Sequence, residues 1–235
     1  MHKLEGKAAV ITGGAKGIGA ATARMLERAG AHVAVFDLED IDGFSVDVTN
    51  ESALKEAFAR IAERSGGVDI LVNNAGRVAR KPAVDLAVDE WQAVMDVNLT
   101  ATFLCSRIAH PFMKKRGGGS IVNVASIMGL SGGLFPNASY QAAKGGVVNL
   151  TRALALEWAA DNIRVNAVAP TYVNTEMTTA IFSNPELLET VMLHTPLGRL
   201  PEADDVAAAI LFLCSEAARC ITGIVLPIDS GYLAR

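Results

Sequence analysis

The chain has 235 residues and a formal charge of -4, so it can bury the core of one large α/β domain and offers no basic field for a nucleic-acid backbone. Its three cysteines, Cys105, Cys214 and Cys220, contain no C-x-x-C pair. This spacing argues against a disulfide framework and against a zinc site, and it favours a reducing compartment. Because 51% of the residues are hydrophobic, we expect some apolar surface to be buried between subunits.

Two stretches bear on targeting and membranes. The apolar run near the N-terminus, residues 8–11, is too short for a signal segment. Residues 117–143 carry no charge but hold six glycines and a proline, which a membrane-spanning helix would not tolerate. The prediction is a cytoplasmic protein with no membrane or nucleic-acid partner and no metal.

The first predicted strand, residues 7–12, runs into a glycine turn. Gly13, Gly17 and Gly19 form G-x-x-x-G-x-G, and a helix follows over residues 20–29. Glycines at a strand-to-helix turn let the backbone approach a pyrophosphate, whose charge the helix N-terminus stabilises. The turn is not a Walker loop, because no G-K-S/T follows the last glycine.

The second predicted strand, residues 32–36, ends at Asp37. A carboxylate there can accept hydrogen bonds from both ribose hydroxyls of an adenosine and would repel a 2′-phosphate, which favours NAD over NADP. Lys16 is an argument for NADP, since a basic side chain next to Gly17 could reach a 2′-phosphate. We give Asp37 more weight, because a carboxylate buried against a dianion costs several kcal/mol whereas an exposed Lys pair is worth at most about one.

The middle of the chain continues the alternation of strands and helices. A third strand is predicted over residues 44–46, and the six residues before it are too few for a crossover helix. A helix over residues 51–64 and a fourth strand over 69–72 follow. That strand ends in an amide-rich turn, residues 73–76, at the edge where open α/β sheets bind ligands. A long helix over residues 89–113 carries Asn98 among apolar neighbours, where its amide must find a partner.

The rest of the chain is organised around Tyr140 and Lys144. A buried strand over residues 121–125 delivers Ser126 to its end. Residues four apart lie on one helix face, so the Lys144 ammonium can sit beside the Tyr140 phenol. At about 6 Å and an effective dielectric of about 20, the ammonium charge lowers the pKa of the phenol by roughly two units, towards neutral pH. Lys144 then runs into Gly145 and Gly146, which predicts close approach of another backbone.

The remaining predicted elements complete one domain over residues 1–235. The helix containing Tyr140 continues to Trp158, and a sixth strand covers residues 163–169. Residues 176–197 suit a substrate lid. A helix over residues 203–214 and a seventh strand over 224–228 end the chain. The fold class is α/β, a doubly wound, seven-stranded parallel sheet of the Rossmann-like type.

Taken together, these motifs resemble the short-chain dehydrogenase/reductase family over essentially the whole chain. The resemblance rests on T-G-x-x-x-G-x-G at 12–19, Asp47, N-N-A-G at 73–76, Asn98, Ser126, Y-x-x-x-K at 140–144 and N-A-V-A-P at 166–170. It implies that Tyr140 is the general acid/base, Ser126 bonds the reacting oxygen, Lys144 holds the nicotinamide ribose and lowers the Tyr140 pKa, and Asn98 anchors a water-mediated proton relay. It implies a homotetramer and these NAD contacts: Gly13, Lys16, Gly17, Ile18, Gly19, Asp37, Asp47, Val48, Asn74, Ala75, Gly76, Tyr140, Lys144, Val173 and Thr175.

The chain departs from the family pattern at several points. The interval from Ser126 to Tyr140 is one residue longer, Thr171 stands where a glycine usually follows the proline, and Ser230 replaces a frequent glycine. No catalytic group is lost. Arg77, Arg80 and the C-terminal residues 231–235 resemble members that act on sugars, sugar acids and polyols, so a secondary alcohol of that kind is the predicted substrate. The alternatives are a 3-oxoacyl or other carbonyl reductase, a cyclic-diol dehydrogenase and, from another class, a non-catalytic nucleotide-binding regulator.

Overall fold

The computed structural model describes residues 3–234, and a parallel sheet forms its centre. In spatial order the sheet is β2-β1-β3-β4-β5-β6, and every neighbouring pair is parallel. The strands are β1 Ala8–Thr12, β2 His32–Phe36, β3 Ile70–Asn73, β4 Gly119–Val124, β5 Ile163–Pro170 and β6 Val225–Ile228. Their runs of Val, Ile and Ala are buried on both faces, as parallel strands covered by helices require.

Helices cover both faces of the sheet. They are α1 Gly17–Arg28, α2 Glu51–Ser65, α3 Val88–Met95, α4 Ala101–Lys115, α5 Ala138–Glu157, α6 Thr179–Phe182, α7 Pro185–Leu193 and α8 Ala203–Cys214. On one face α2, α4 and α5 pack against side chains such as Leu71 and Ile121. On the other face α1 and α8 pack against side chains such as Val72 and Val122. The domain is therefore doubly wound. Within residues 3–234 no helix is long and apolar enough to cross a bilayer.

The prediction of seven strands is wrong, because residues 44–46 do not form one. Asp42 and Gly43 both have positive φ, 53° and 83°, and turn the chain back on itself. The segment makes only isolated bridges, between Ile41 and Phe44 and between Asp37 and Ser45. Phe44 is nevertheless buried, with its ring 5.5 Å from that of Phe36. The hydrophobic signal was that of core packing without a strand ladder.

The long predicted helix over residues 89–113 is interrupted. A π turn, Asp96–Thr100, joins α3 to α4. Such turns widen the helix by one residue and are frequent at functional sites. Asn98 lies within this turn.

The sheet extends from β1 in both directions, with β2 on one side of β1 and β3 on the other. The chain crosses from β2 over the sheet to β3, so the helices after β1 and β3 lie on opposite faces and their strand ends leave a crevice. Thr12 and Asn73 are paired in the register at this point. In open α/β sheets ligands bind in the crevice at the carboxyl ends of such strands.

Candidate active site

A cavity of about 600 Å³ lies at this crevice. The glycine turn after β1, the ends of β2 and β3, the start of α5 and the beginning of the predicted lid form its walls. Among the predicted cofactor contacts, its lining includes Gly13, Lys16, Gly17, Ile18, Asp37, Asp47, Val48, Asn74, Ala75, Gly76, Tyr140, Lys144 and Thr175. Gly19, Val173, Ser126 and Asn98 are not among the residues that line it.

The glycine turn has the close backbone approach that its sequence predicts. Gly13 and Gly17 have φ of 63° and 54°, in the left-handed region. A Cβ on Gly19 would lie 2.2 Å from the Gly13 carbonyl oxygen. The start of α1 at Gly17, with no acidic residue in its first turn, faces this cradle. The cradle fits a pyrophosphate, because a helix N-terminus and a glycine-rich turn together can bind an anion.

Side chains at the ends of β1 and β3 hold the turn in place. The Asn74 amide donates to the carbonyl oxygens of Thr12 and Gly13, at 3.1 and 2.6 Å. The Thr12 hydroxyl accepts from the backbone N–H groups of Asn74 and Ala75, at 3.1 Å each. Sequence reasoning treated Thr12 only as part of a motif, and the tethering role of its hydroxyl was missed.

Asp37 follows β2 and lines the cavity there. One of its carboxylate oxygens accepts from the Ala15 N–H at 3.0 Å. Lys16, the next residue, is not a free cation. Its ammonium lies 2.7 Å from the Glu39 carboxylate and 3.6 Å from that of Glu176. Sequence reasoning missed both glutamates, although Glu39 is only two residues beyond Asp37.

Tyr140 and Lys144 lie on the first turns of α5, as predicted. The Lys144 ammonium is 5.5 Å from the centre of the Tyr140 ring and donates to the Val124 carbonyl at 2.6 Å. Ser126 follows β4, where its hydroxyl accepts from the Met128 N–H at 3.1 Å. The Ser126 hydroxyl also lies near enough to the Tyr140 phenol to oppose the rise in the pKa of the phenol. The longer interval between these two residues has therefore not separated them.

The electrostatics of the pair differ from the sequence expectation. Burial raises the pKa of the Tyr140 phenol, and the Ser126 hydrogen bond and the Arg80 charge oppose this only in part. Burial lowers the pKa of Lys144 to about 8. The prediction that Lys144 alone brings the Tyr140 pKa towards neutrality is wrong for this geometry, because the ammonium is directed at a backbone carbonyl and desolvation of the phenolate dominates.

Asn98 is fully buried in the π turn. Its side-chain amide donates to the carbonyl oxygens of Arg77 and Val94, both at 2.8 Å. Its side-chain oxygen has no hydrogen-bond partner among the described residues. That oxygen lies 2.9 Å from where a Cβ on Gly76 would stand, so it is next to the cavity wall. The predicted partner exists for the amide nitrogen only.

The close backbone approach predicted at Gly145 and Gly146 is not found at those two residues. A Cβ on Gly145 would have only an ordinary contact, 3.8 Å from the Gly129 carbonyl oxygen. The tight contact lies on the opposite side, where a Cβ on Gly129 would stand 2.6 Å from the Lys144 carbonyl oxygen. At Gly146 the neighbour is a side chain, with a Leu99 methyl 2.7 Å from an added Cβ. Both contacts press α5 against the segments that carry Ser126 and Asn98.

An apolar cluster surrounds the Tyr140 ring. Its buried members are Ile127, Met128, Tyr172, Ile181 and Val191, and the C-terminal Tyr232 and Leu233 pack against it. The predicted lid contributes α6 and α7 to this cluster. Arg77 lines the cavity nearby. No group of three His, Cys, Asp or Glu side chains that could hold a metal occurs between residues 3 and 234.

Comparisons with known proteins find relatives over almost the whole chain. A family model described as Enoyl-(Acyl carrier protein) reductase matches residues 13–233. Galactitol 2-dehydrogenase (L-tagatose-forming) of Cereibacter sphaeroides is 42% identical, over 99% of this chain and 97% of its own. A gluconate 5-dehydrogenase of Burkholderia cenocepacia, solved with NADP and tartrate, has a TM-score of 0.94 at 32% identity, covering 99% of this chain and 97% of its own. A short-chain type dehydrogenase/reductase of Mycobacterium marinum has a TM-score of 0.93 at 32% identity, covering 99% and 98%.

Proposed function

The chain belongs to the short-chain dehydrogenase/reductase family and is an oxidoreductase of alcohols and ketones, and from that premise we propose that it is an NAD-dependent dehydrogenase of a polyol, sugar or sugar acid. The observation that carries the proposal is the convergence of Tyr140 and Lys144 on the wall of one dinucleotide-sized cavity, with the Ser126 hydroxyl near the phenol. An acid/base group, its hydroxyl partner and a cation within one site are what alcohol oxidation at carbon requires.

Each of these side chains has a proposed part. Tyr140 takes the proton from the substrate hydroxyl in oxidation and returns it to the carbonyl oxygen in reduction. Ser126 holds the reacting oxygen opposite the phenol, and Lys144 holds the nicotinamide ribose. Asn98 supports a water chain through its unpartnered oxygen. The bound nicotinamide supplies the redox chemistry, and the protein supplies orientation and proton handling.

The cofactor is proposed to be NAD. Asp37 lines the cavity, and its carboxylate, braced by the Ala15 N–H, is an acceptor suited to ribose hydroxyls. Lys16, which would favour a 2′-phosphate, is neutralised by Glu39 and Glu176. The Burkholderia cenocepacia enzyme was solved with NADP, so the choice of cofactor needs a direct measurement on this chain.

The predicted lid, the subunit assembly and the location complete the proposal. Residues 176–197 form α6, α7 and their links, which pack over the apolar cluster beside Tyr140 and are proposed to move when substrate enters. Phe103 and Leu156, on α4 and α5, are exposed apolar side chains that a homotetramer would bury. We propose a cytoplasmic homotetramer.

Reduction of an apolar ketone is the second candidate. The family model that matches the chain is described as an acyl carrier protein reductase, and the side chains around Tyr140 are mostly apolar. A 3-oxoacyl or other carbonyl reductase would use those features. It would draw on the reduced cofactor, whereas a polyol dehydrogenase would draw on the oxidised one.

The test is a substrate panel combined with one substitution. The panel contains galactitol, gluconate, a cyclic diol and a 3-oxoacyl thioester, each with NAD(H) and NADP(H), and turnover is followed by nicotinamide absorbance. With the best substrate, Tyr140→Phe should lower kcat by about 10²–10⁴-fold while NADH binding stays within about twofold. Tyr232→Phe, the matched control, removes a phenol hydroxyl near the same cluster and should retain activity. Turnover retained in Tyr140→Phe would refute the assigned acid/base, and no turnover on any panel member would favour a nucleotide-binding regulator.

A further inference from the structure

Lys16 is held between two carboxylates at the mouth of the cavity. Its ammonium lies 2.7 Å from Glu39, beyond the end of β2, and 3.6 Å from Glu176, at the start of the predicted lid. All three side chains line the cavity. They are also solvent-exposed, with 57–80% of each side chain accessible, so they can rearrange without disturbing the core.

The charges around this point are mostly negative. Asp37, Glu39 and Asp47 line the end of the cavity where β2 finishes, and Lys16 is the cation beside them. Asp37 is bonded to the N–H of Ala15, the residue before Lys16. A ribose held by Asp37 would therefore carry its 2′ substituent beside Lys16. Whether a 2′-phosphate is bound there depends on whether the Lys16 ammonium is free to pair with it.

We propose that Glu39 is a specificity-determining residue, which selects NAD over NADP by occupying the Lys16 ammonium that would otherwise bind the 2′-phosphate. The inference rests on the proposed function, since it concerns the nucleotide that the cavity holds. It adds Glu39 to Asp37 as a residue that selects the cofactor, and it assigns the Lys16 ammonium to an ion pair with Glu39.

The physical reason is competition for one cation. A 2′-phosphate needs a charge-assisted partner to offset its loss of water. In the present arrangement Lys16 already has such a partner, and the hydrogen bond that it donates to Glu39 is the largest cause of its raised pKa. NADP would have to displace Glu39 and leave that carboxylate beside a dianion. NAD leaves the pair intact, because its free 2′-hydroxyl makes no demand on the lysine.

Glu39→Gln separates this effect from the others. The amide keeps the size of the side chain and removes its charge, while Asp37 and the glycine turn are unchanged. Glu176 remains, but at 3.6 Å it lies beyond hydrogen-bonding distance from the ammonium. Lys16 then becomes available to a phosphate.

The experiment measures equilibrium binding of NADH and NADPH by nicotinamide fluorescence on the full chain. Glu39→Gln should tighten NADPH by up to about fivefold, which corresponds to about 1 kcal/mol, and leave NADH within about twofold. The gain should shrink in 0.5 M salt, because the pair is exposed. Lys16→Ala/Glu39→Gln should bind NADPH no better than the parent. Glu51→Gln is the matched control, since it changes net charge equally, breaks exposed pairs with Lys55 and Arg107, and is not a lining residue of the cavity.

Two results would overturn the inference. One is an unchanged NADPH dissociation constant in Glu39→Gln. The other is an equal gain in the double variant, which would mean that removal of a negative charge, and not release of Lys16, is responsible. The proposed function fails separately, if the parent protein binds NADPH more tightly than NADH or binds neither.

Discussion

Replacing Lys144 by methionine should make the protein more stable at neutral pH while abolishing its activity. The ammonium is 96% buried and has one hydrogen bond, to the Val124 carbonyl at 2.6 Å. Burial lowers its pKa from 10.5 to about 8. Each pKa unit corresponds to 1.36 kcal/mol, so keeping this group charged in the folded state costs about 3 kcal/mol.

Methionine replaces the aliphatic part of the lysine side chain, is one heavy atom shorter and carries no charge. The variant loses the bond to Val124, worth about 1 kcal/mol, so the net gain in the free energy of unfolding at pH 7 is about 2 kcal/mol. The sign of the pH dependence follows from proton binding. Between about pH 8 and 10.5 the unfolded chain holds a proton on Lys144 that the folded protein has lost, so the parent gains stability as pH rises. The advantage of the variant is therefore full below pH 8 and fades towards pH 10.5.

Guanidinium unfolding at pH 7 and pH 10, followed by far-ultraviolet circular dichroism at one protein concentration, measures both quantities. Burial also raises the pKa values of Cys105 and Cys214 to about 12, but both proteins contain these thiols and their effect cancels. Lys55→Met, at an exposed lysine, is the control and should change stability by less than about 0.5 kcal/mol. A Lys144→Met protein that is less stable than the parent at pH 7, or a difference that persists at pH 10, would refute the reasoning.

Three further predictions follow from the site and its surroundings. Because burial raises the Tyr140 pKa, the rate of alcohol oxidation should increase with pH into the alkaline range. The pH profile of kcat/KM measures this dependence. A kcat/KM that falls from pH 7 to pH 10 would contradict the prediction. Gly19→Ala should weaken NADH binding at least tenfold while the fold is retained by circular dichroism, since its Cβ would stand 2.2 Å from the Gly13 carbonyl; unchanged fluorescence titration would count against the cradle. Asp69→Asn should lower the free energy of unfolding by on the order of 2 kcal/mol at pH 7, because the Asp69 carboxylate, whose burial is outweighed by bonds from Ala8, Arg116 and Lys7, has a lowered pKa. That stability is present above pH 4 and lost on acidification, so the gap between the two proteins should close towards pH 2.

Local signals carried most of the fold. The parallel strands are short apolar runs followed by small, polar or turn-forming residues such as Gly13, Asp37 and Asn74, and these endings mark the carboxyl edge of the sheet. The segment over residues 44–46 shows the limit of that reasoning. Phe44 is buried, as a strand residue would be, but Asp42 and Gly43 reverse the chain before a ladder can form. Hydrophobic runs report burial, and a strand also needs a partner at matching register.

The candidate site was predictable where one residue acts through its own type and place in a motif. Tyr140, Lys144 and Asp37 are such residues. The states of these groups were less accessible, because they depend on neighbours that are distant in sequence. Glu176 reaches Lys16 from 160 residues away, and the Val124 carbonyl that receives the Lys144 ammonium belongs to the central sheet. The pKa of Tyr140 was mispredicted for this reason, since helix spacing reports a neighbour's distance but not its direction or the loss of water around it.

Features that cost stability are concentrated beside the cavity. Lys144 keeps a buried charge, Asn98 keeps a buried side-chain oxygen without a described partner, and its helix opens into a π turn. An unpaired buried acceptor costs about 1–3 kcal/mol and the lysine about 3, which is a large share of an ordinary folding free energy. Gly146 lets Leu99 of the π turn pack directly on α5, so these costs are borne by two touching elements. A core shaped by packing alone would have apolar side chains at these positions. The presence of these costly groups together beside one cavity is therefore an argument for chemistry there, and it does not depend on any single motif.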